Sequence, residues 1–304
     1  LDLMLPLVDE ALEIDPAFGP AHAVRGWAAI ERGDFAQARL DLARAIELSP
    51  NDAKAHMWLG NAFFADARPR EALDALNRAL ELDPLNFIIQ IRQALVLDAL
   101  GRNAAAVEAA TRAVTLAPKH PNPHWTLALI ATSRGNFPQA IAHYEAALAL
   151  DPSRSDLRIQ MATLLLDVGN ESAARHELAE AARLAQSSHS YLTARAYEAL
   201  LAGDPRQLAA VAESLASVDP NNRYLVMDAA NFMTLAGQHE HAIELFSSIL
   251  GEHPDAILND LWMIRWGLET APVCLAQSYA AAGRSTERDE LVGRFNHFLV
   301  EAQQ

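Results

Sequence analysis

Few residues in this chain have the types and spacing for chemistry. His239 and His241 flank Glu240, the residue types of a metal site. Residues two apart diverge by about 200° on a helix, so the two imidazoles cannot close on one ion. Cys274 is the only cysteine, which excludes an internal disulfide. No Gly-rich phosphate loop and no serine elbow is present, and no histidine pairs with Cys274 in sequence. The expectation is a protein without catalytic residues, metal ligands or cofactor. His22, His56 and His124 recur at multiples of 34 residues, which points to a repeated packing role.

That spacing belongs to the whole chain. Pro16, Pro50, Pro84, Pro118, Pro152, Pro220 and Pro254 are separated by 34 residues, except for one gap of 68 in which Gln186 takes the expected place. A fixed period of this length marks a repeat array. With the proline as the thirty-second position, repeats begin at Gly19, Ala53, Phe87, Pro121, Ser155, His189 and Arg223. The eighth position is always small: Gly26, Gly60, Ala94, Ala128, Ala162, Ala196 and Ala230. The fifteenth reads Gly33, Ala67, Gly101, Gly135, Gly169, Gly203 and Gly237. The twentieth is Ala in all but Leu208, and the twenty-seventh is Ala from Ala45 to Ala181, then Leu215 and Ile249.

Each column has a physical reading. Small residues at the eighth and twentieth positions let two antiparallel helices approach. Glycine at the fifteenth closes a helix in the left-handed conformation. Proline at the thirty-second ends the second helix. Between these stops, Ala53 to Asp66 and Arg70 to Glu81 carry apolar residues three and four apart, the helical period.

These columns resemble the tetratricopeptide repeat, and the match runs from Gly19 to Pro254. The resemblance implies an all-α, right-handed superhelical solenoid of antiparallel helix pairs, with about eight repeats. Residues 1–18 are expected to hold the second helix of a truncated repeat, 19–256 seven repeats, and 257–304 an extra helix and a degenerate capping repeat. The chain starts in mid-repeat without Met, as a fragment or processed product would. Ile257 to Leu268 is expected to form the extra helix, with Trp262 and Trp266 one turn apart, suited to self-capping or dimer packing. Leu208 and Leu215, after the polar stretch Gln186 to Ser190, suggest a change of pitch or a hinge.

In the family the first helix of each pair lines a concave face. Carried onto this chain, that places Trp27, Lys54, Met57, Trp58, Asn61, Phe64, Ile91, Arg92, Leu95, Trp125 and Leu129 along a groove. Aromatic anchors with an Arg or Asn nearby are the composition of interface hot spots. Asn61 could fix a peptide backbone, and Arg92 a carboxylate, with Asp98 as its resting partner. A shift of one position in helix phase would turn the three tryptophans into core residues, so both placements stay open. Later repeats offer Ile159, Gln160, Thr163, Tyr197, Met227, Asp228 and Asn231. The family's chaperone-binding members grip a C-terminal carboxylate with a Lys and Asn clamp. Here Trp27, Trp58 and Ile88 replace it, and only Asn61 and Arg92 match.

The net charge is −15, with 13 basic and 19 acidic residues in 1–152 and 11 and 20 in 153–304. Such a surface repels phosphate backbones, so direct nucleic-acid binding is not expected. No apolar run is long enough to span a membrane. The basic residues are 22 Arg and two Lys, which with the abundant Ala suggests a GC-rich, bacterial genome. The expected function is a non-catalytic scaffold that holds a peptide or partner helix in the groove. Two alternatives stand beside it. One is a regulatory segment of a larger bacterial protein, since Ala79 to Asn86 resembles repeat regions of winged-helix regulators and nucleotide cyclases. The other is a scaffold in envelope or exopolysaccharide assembly. A homodimer through the terminal helices is a further possibility, and the sequence does not fix the compartment.

Overall fold

A computed structural model describes residues 4–185, 188–250 and 270–302. All regular structure among them is helical, in seventeen helices. They fall into two compact units, divided after Ser133.

The first unit contains α1 (Met4–Ile14), α2 (Gly19–Glu31), α3 (Phe35–Leu48), α4 (Ala53–Ala65), α5 (Pro69–Leu82), α6 (Phe87–Ala99), α7 (Asn103–Leu116) and α8 (Pro121–Ser133). The predicted spans 53–66 and 70–81 agree with α4 and α5 to within a residue at each end. The helices α2, α4 and α6 pack on α3, α5 and α7 respectively. The second unit contains α9 (Phe137–Leu150), α10 (Ser155–Asp167), α11 (Glu171–Leu184), α12 (His189–Ala202), α13 (Pro205–Val218), α14 (Arg223–Leu235), α15 (His239–Leu250), α16 (Thr270–Ala281) and α17 (Ser285–Ala302). Its pairs are α10 with α11, α12 with α13, α14 with α15 and α16 with α17. The expected helix of Ile257 to Leu268, with Trp262 and Trp266, lies outside the described residues.

The small-residue columns make the pairs close. A Cβ on Gly26 would stand 2.6 Å from Leu42 Cγ, and one on Gly60 would stand 2.7 Å from Leu76 Cγ. The buried alanines Ala38, Ala45, Ala72 and Ala79 lie on the facing helices. Leu208 and Leu215, where Ala prevails elsewhere, are also buried, in a cluster with Ala196, Ala199 and Ala212. They fill volume between α12 and α13. The polar residues Gln186 and Ser187 lie outside the described set.

The turns have equally local causes. The backbone at Gly33, Gly101, Gly135, Gly169, Gly203 and Gly237 has φ between 66° and 76°, and Ala67 holds the same corner at 53°. Asp52, Asn86 and Asn222 cap the helices that follow them: each side chain accepts from two backbone N–H groups, satisfying donors left open at a helix start. The fourth residue of a repeat adds a further tie. His22 Nε2 lies 3.0 Å from the Pro16 carbonyl oxygen, and His56 Nε2 lies 3.0 Å from that of Pro50. In the second unit, Arg158 donates to the Pro152 carbonyl across the same interval, at 3.4 Å. His22 and His56 therefore tie a helix to the turn before it.

Candidate functional site

In the first unit, α2, α4, α6 and α8 pack side by side. This row carries the eleven residues from Trp27 to Leu129 expected to line a groove. Trp27 and Trp58 are half-buried, and their rings stack with centroids 6.2 Å apart at an interplanar angle of 26°. Lys54 stands one helical turn before Trp58, and its ammonium lies over that ring, 4.5 Å from the centroid. The cation is held to the ring's negative face. Lys54 is itself exposed, and Met57, Asn61, Trp125 and Leu129 are half-buried. These residues combine accessible surface with a fixed backbone.

Three expected lining residues lie elsewhere. Phe64 and Leu95 are each 1% exposed and Ile91 is 5% exposed, so they belong to the packed interior. Leu95 shares its column with Trp27 and Asn61, and Ile91 with Met57, so burial at one helical phase differs from repeat to repeat. In the second unit the same happens to Met227 and Ile159, both buried.

Arg92 is half-buried on α6, and burial lowers its pKa while the negative charge of Glu31 raises it. Asp98, its expected partner, is buried and accepts from Ser133 Oγ at 2.9 Å. Glu31 was not foreseen as part of the site. It occupies the thirteenth position of the first repeat and Arg92 the sixth position of the third. The intervening ninth position is Asn61. The charge interaction therefore runs along a diagonal that steps back by three or four positions from one repeat to the next. Trp27, at a ninth position, meets Trp58, at the following sixth, by the same step. A periodic sequence holds this signal, but it is visible only when residues are compared between columns.

The possible reactive groups are otherwise engaged. His241 Nε2 lies 3.4 Å from Glu213 Oε2, while His239 Nδ1 lies 3.5 Å from Ser278 Oγ, so the two imidazoles have separate partners. Burial pushes the Cys274 thiol up to about 11, away from the thiolate that would react. Among the described residues, no three His, Cys, Asp or Glu side chains are placed to hold a metal ion. No helix among them is long and apolar enough to cross a membrane.

Comparison with protein families finds the tetratricopeptide repeat. One model of that description matches residues 24–87, 64–121 and 91–155, and a second matches 131–196. Together they span more than half of the chain. No curated protein matches. Among solved structures, the pilF protein of Pseudomonas aeruginosa is 24% identical, with a TM-score of 0.50 over 68% of this chain and 93% of that one. PilW, described as a widely conserved type IV pilus biogenesis factor, is 15% identical, with a TM-score of 0.52 over 66% of this chain and 92% of its own. A thermophilic TPR protein of Thermus thermophilus is 24% identical, with a TM-score of 0.51 over 54% and 90%. At these identities the likeness concerns the fold.

Proposed function

The chain belongs to the tetratricopeptide repeat family, and on that premise we propose that it is a scaffold holding a peptide or partner helix against the row α2, α4, α6 and α8. The observation that carries this reading is the half-buried stack of Trp27 and Trp58 under the Lys54 ammonium. Large aromatic surface that is neither sequestered nor mobile is what a hot spot requires. Trp125 and Leu129 add half-buried apolar surface on α8, and Asn61 offers an amide on α4. A preformed surface also keeps the ordering cost of binding low. The Glu31 and Arg92 charges oppose each other, so the row offers apolar and amide contacts more than a charge for a terminal carboxylate.

The test is capture from native lysate by the intact chain and by a Trp27→Ala, Trp58→Ala, Trp125→Ala variant of equal helicity. A captured partner is then titrated against both proteins. Loss of affinity by several kcal/mol, on the order of other aromatic hot spots, supports the assignment. Equal affinity in the folded variant moves the interface to another face.

A further inference from the structure

We propose that the row α10, α12 and α14 of the second unit holds a site for one cationic side chain, an arginine or lysine of a partner peptide, formed by Asp167, Tyr197, Asp228 and Asn231. The proposal rests on observations separate from the aromatic row of the first unit.

The first is position. Asp167 is the thirteenth residue of its repeat, Tyr197 the ninth of the next, and Asp228 the sixth of the one after. This is the diagonal that joins Glu31 to Arg92 in the first unit. Helices α10, α12 and α14 pack in sequence. The Tyr197 ring stands edge-on to Phe232 of α14, with centroids 5.2 Å apart at 87°, which fixes its placement between α12 and α14. Both carboxylates act on its hydroxyl: Asp228 and Asp167 each raise its pKa, after burial. Asn231 follows Asp228 by three residues, so the two share a helix face.

The second is the lack of a cationic partner. In the first unit the diagonal neutralises itself, with an acid at one end and an arginine at the other. In the second, both ends are acids. Among the described residues, neither Asp167 nor Asp228 has a hydrogen bond or ion pair. Asn231 is 8% exposed, and its Oδ1 is buried without a hydrogen-bond partner among them. The nearby cations on these helices are taken: Arg195 pairs with Glu198, and Arg158 with Glu177. A half-buried carboxylate and a buried amide oxygen left open are costly in a folded protein. Burial alone pushes Asp228 up to about 7.

The third is access. Asp228 and Tyr197 are strongly desolvated but only half-buried, and Asp167 is exposed. The group is therefore reachable from solvent, with Asp167 its most exposed member. The two carboxylates and the Asn231 carbonyl accept, and the Tyr197 hydroxyl can accept as well as donate. Arginine and lysine side chains only donate, and a guanidinium can also lie on the Tyr197 ring. A cation would restore the charge that burial suppresses on Asp228.

The test titrates the peptide acetyl-Ala-Ala-Arg-Ala-Ala-amide into the full-length, nitrogen-15-labelled chain at low salt and about pH 8, where Asp228 is ionised. A second peptide replaces arginine by neutral citrulline, and spermidine provides a free polyamine. The expected result is amide shifts in α12 and α14 with the arginine peptide, about tenfold weaker binding of the citrulline peptide and of Asp228→Asn, and weaker binding still of spermidine. Asp228→Asn should fold with an unchanged or raised Tm, since the carboxylate has no partner to lose. The proposal is overturned by equal binding of the citrulline peptide, by absence of shifts, by tighter binding of spermidine, or by a lowered Tm in Asp228→Asn. Trp27→Ala, Trp58→Ala should leave these shifts intact, so failure here and failure of the aromatic row are told apart.

Discussion

Trp27 and Trp58, on neighbouring helices, stack with ring centroids 6.2 Å apart, and Lys54 covers the outer ring at 4.5 Å. A stack between half-buried rings holds α2 against α4 as well as offering surface. The coupling of Trp27→Ala and Trp58→Ala in a double-mutant cycle of unfolding should be about 0.5–1.5 kcal/mol. Lys54→Met should remove about 0.5–1 kcal/mol of cation–ring attraction. Urea unfolding of the four proteins measures the first. A coupling near zero would mean that each ring packs independently.

Ala67 takes the left-handed conformation that glycine takes at the other fifteenth positions. A Cβ there costs about 1–2 kcal/mol, and glycine's extra freedom in the unfolded chain costs about 0.5–1 kcal/mol. Ala67→Gly should therefore stabilise the protein by about 0.5–1 kcal/mol. Gly101→Ala should destabilise it by a similar amount, although its Cβ would meet nothing within 4 Å. Both are visible as shifts of the urea midpoint at constant slope.

What the sequence made legible follows from which contacts repeat. Gly33 and Gly101 announced their positive φ, and Ala38 and Ala72 their burial, because each makes the same contact in its own helix pair. Phe64, Ile91 and Leu95 were misplaced because residues of one column are not equally buried: Ile91 is buried where Met57 is not, and Leu95 where Trp27 and Asn61 are not. Glu31 with Arg92, and Trp27 with Trp58, went unseen because they join different columns of successive repeats. Such contacts depend on the offset between stacked pairs, which tertiary packing sets.

Asp41 is buried on α3. It accepts from Arg25 Nε at 2.9 Å and from Gln37 Nε2 at 3.0 Å, with Arg25 also 3.3 Å from His22 Nδ1. Removing one partner of a buried pair strands the other charge. Arg25 keeps a third of its surface, so water relieves part of the cost. Asp41→Ala should lose about 2–3 kcal/mol, and Arg25→Met with Asp41→Leu should recover much of it. The comparison is by urea unfolding. Equal losses in the single and double variants would show that packing, not charge, dominates there.

Asp228 gives stability a pH dependence of unusual sign for a carboxylate. Its pKa is raised by burial to about 7, against about 3.9 in an unfolded chain. Between those values the folded state holds a proton that the unfolded state lacks, so stability falls as pH rises. The contribution is fully present below about pH 4 and is gone above about pH 7. Asp167 is shifted in the same direction by burial, while Glu71 and Glu287 are lowered and act oppositely. Comparing wild type with Asp228→Asn cancels those other groups. The variant's advantage should be small near pH 4 and grow to about 1–3 kcal/mol above pH 7, the cost of burying an unpaired polar group. Urea unfolding at intervals across this range measures it. A difference that stays flat with pH would show that the Asp228 carboxylate is as well solvated in the folded chain as in the unfolded one.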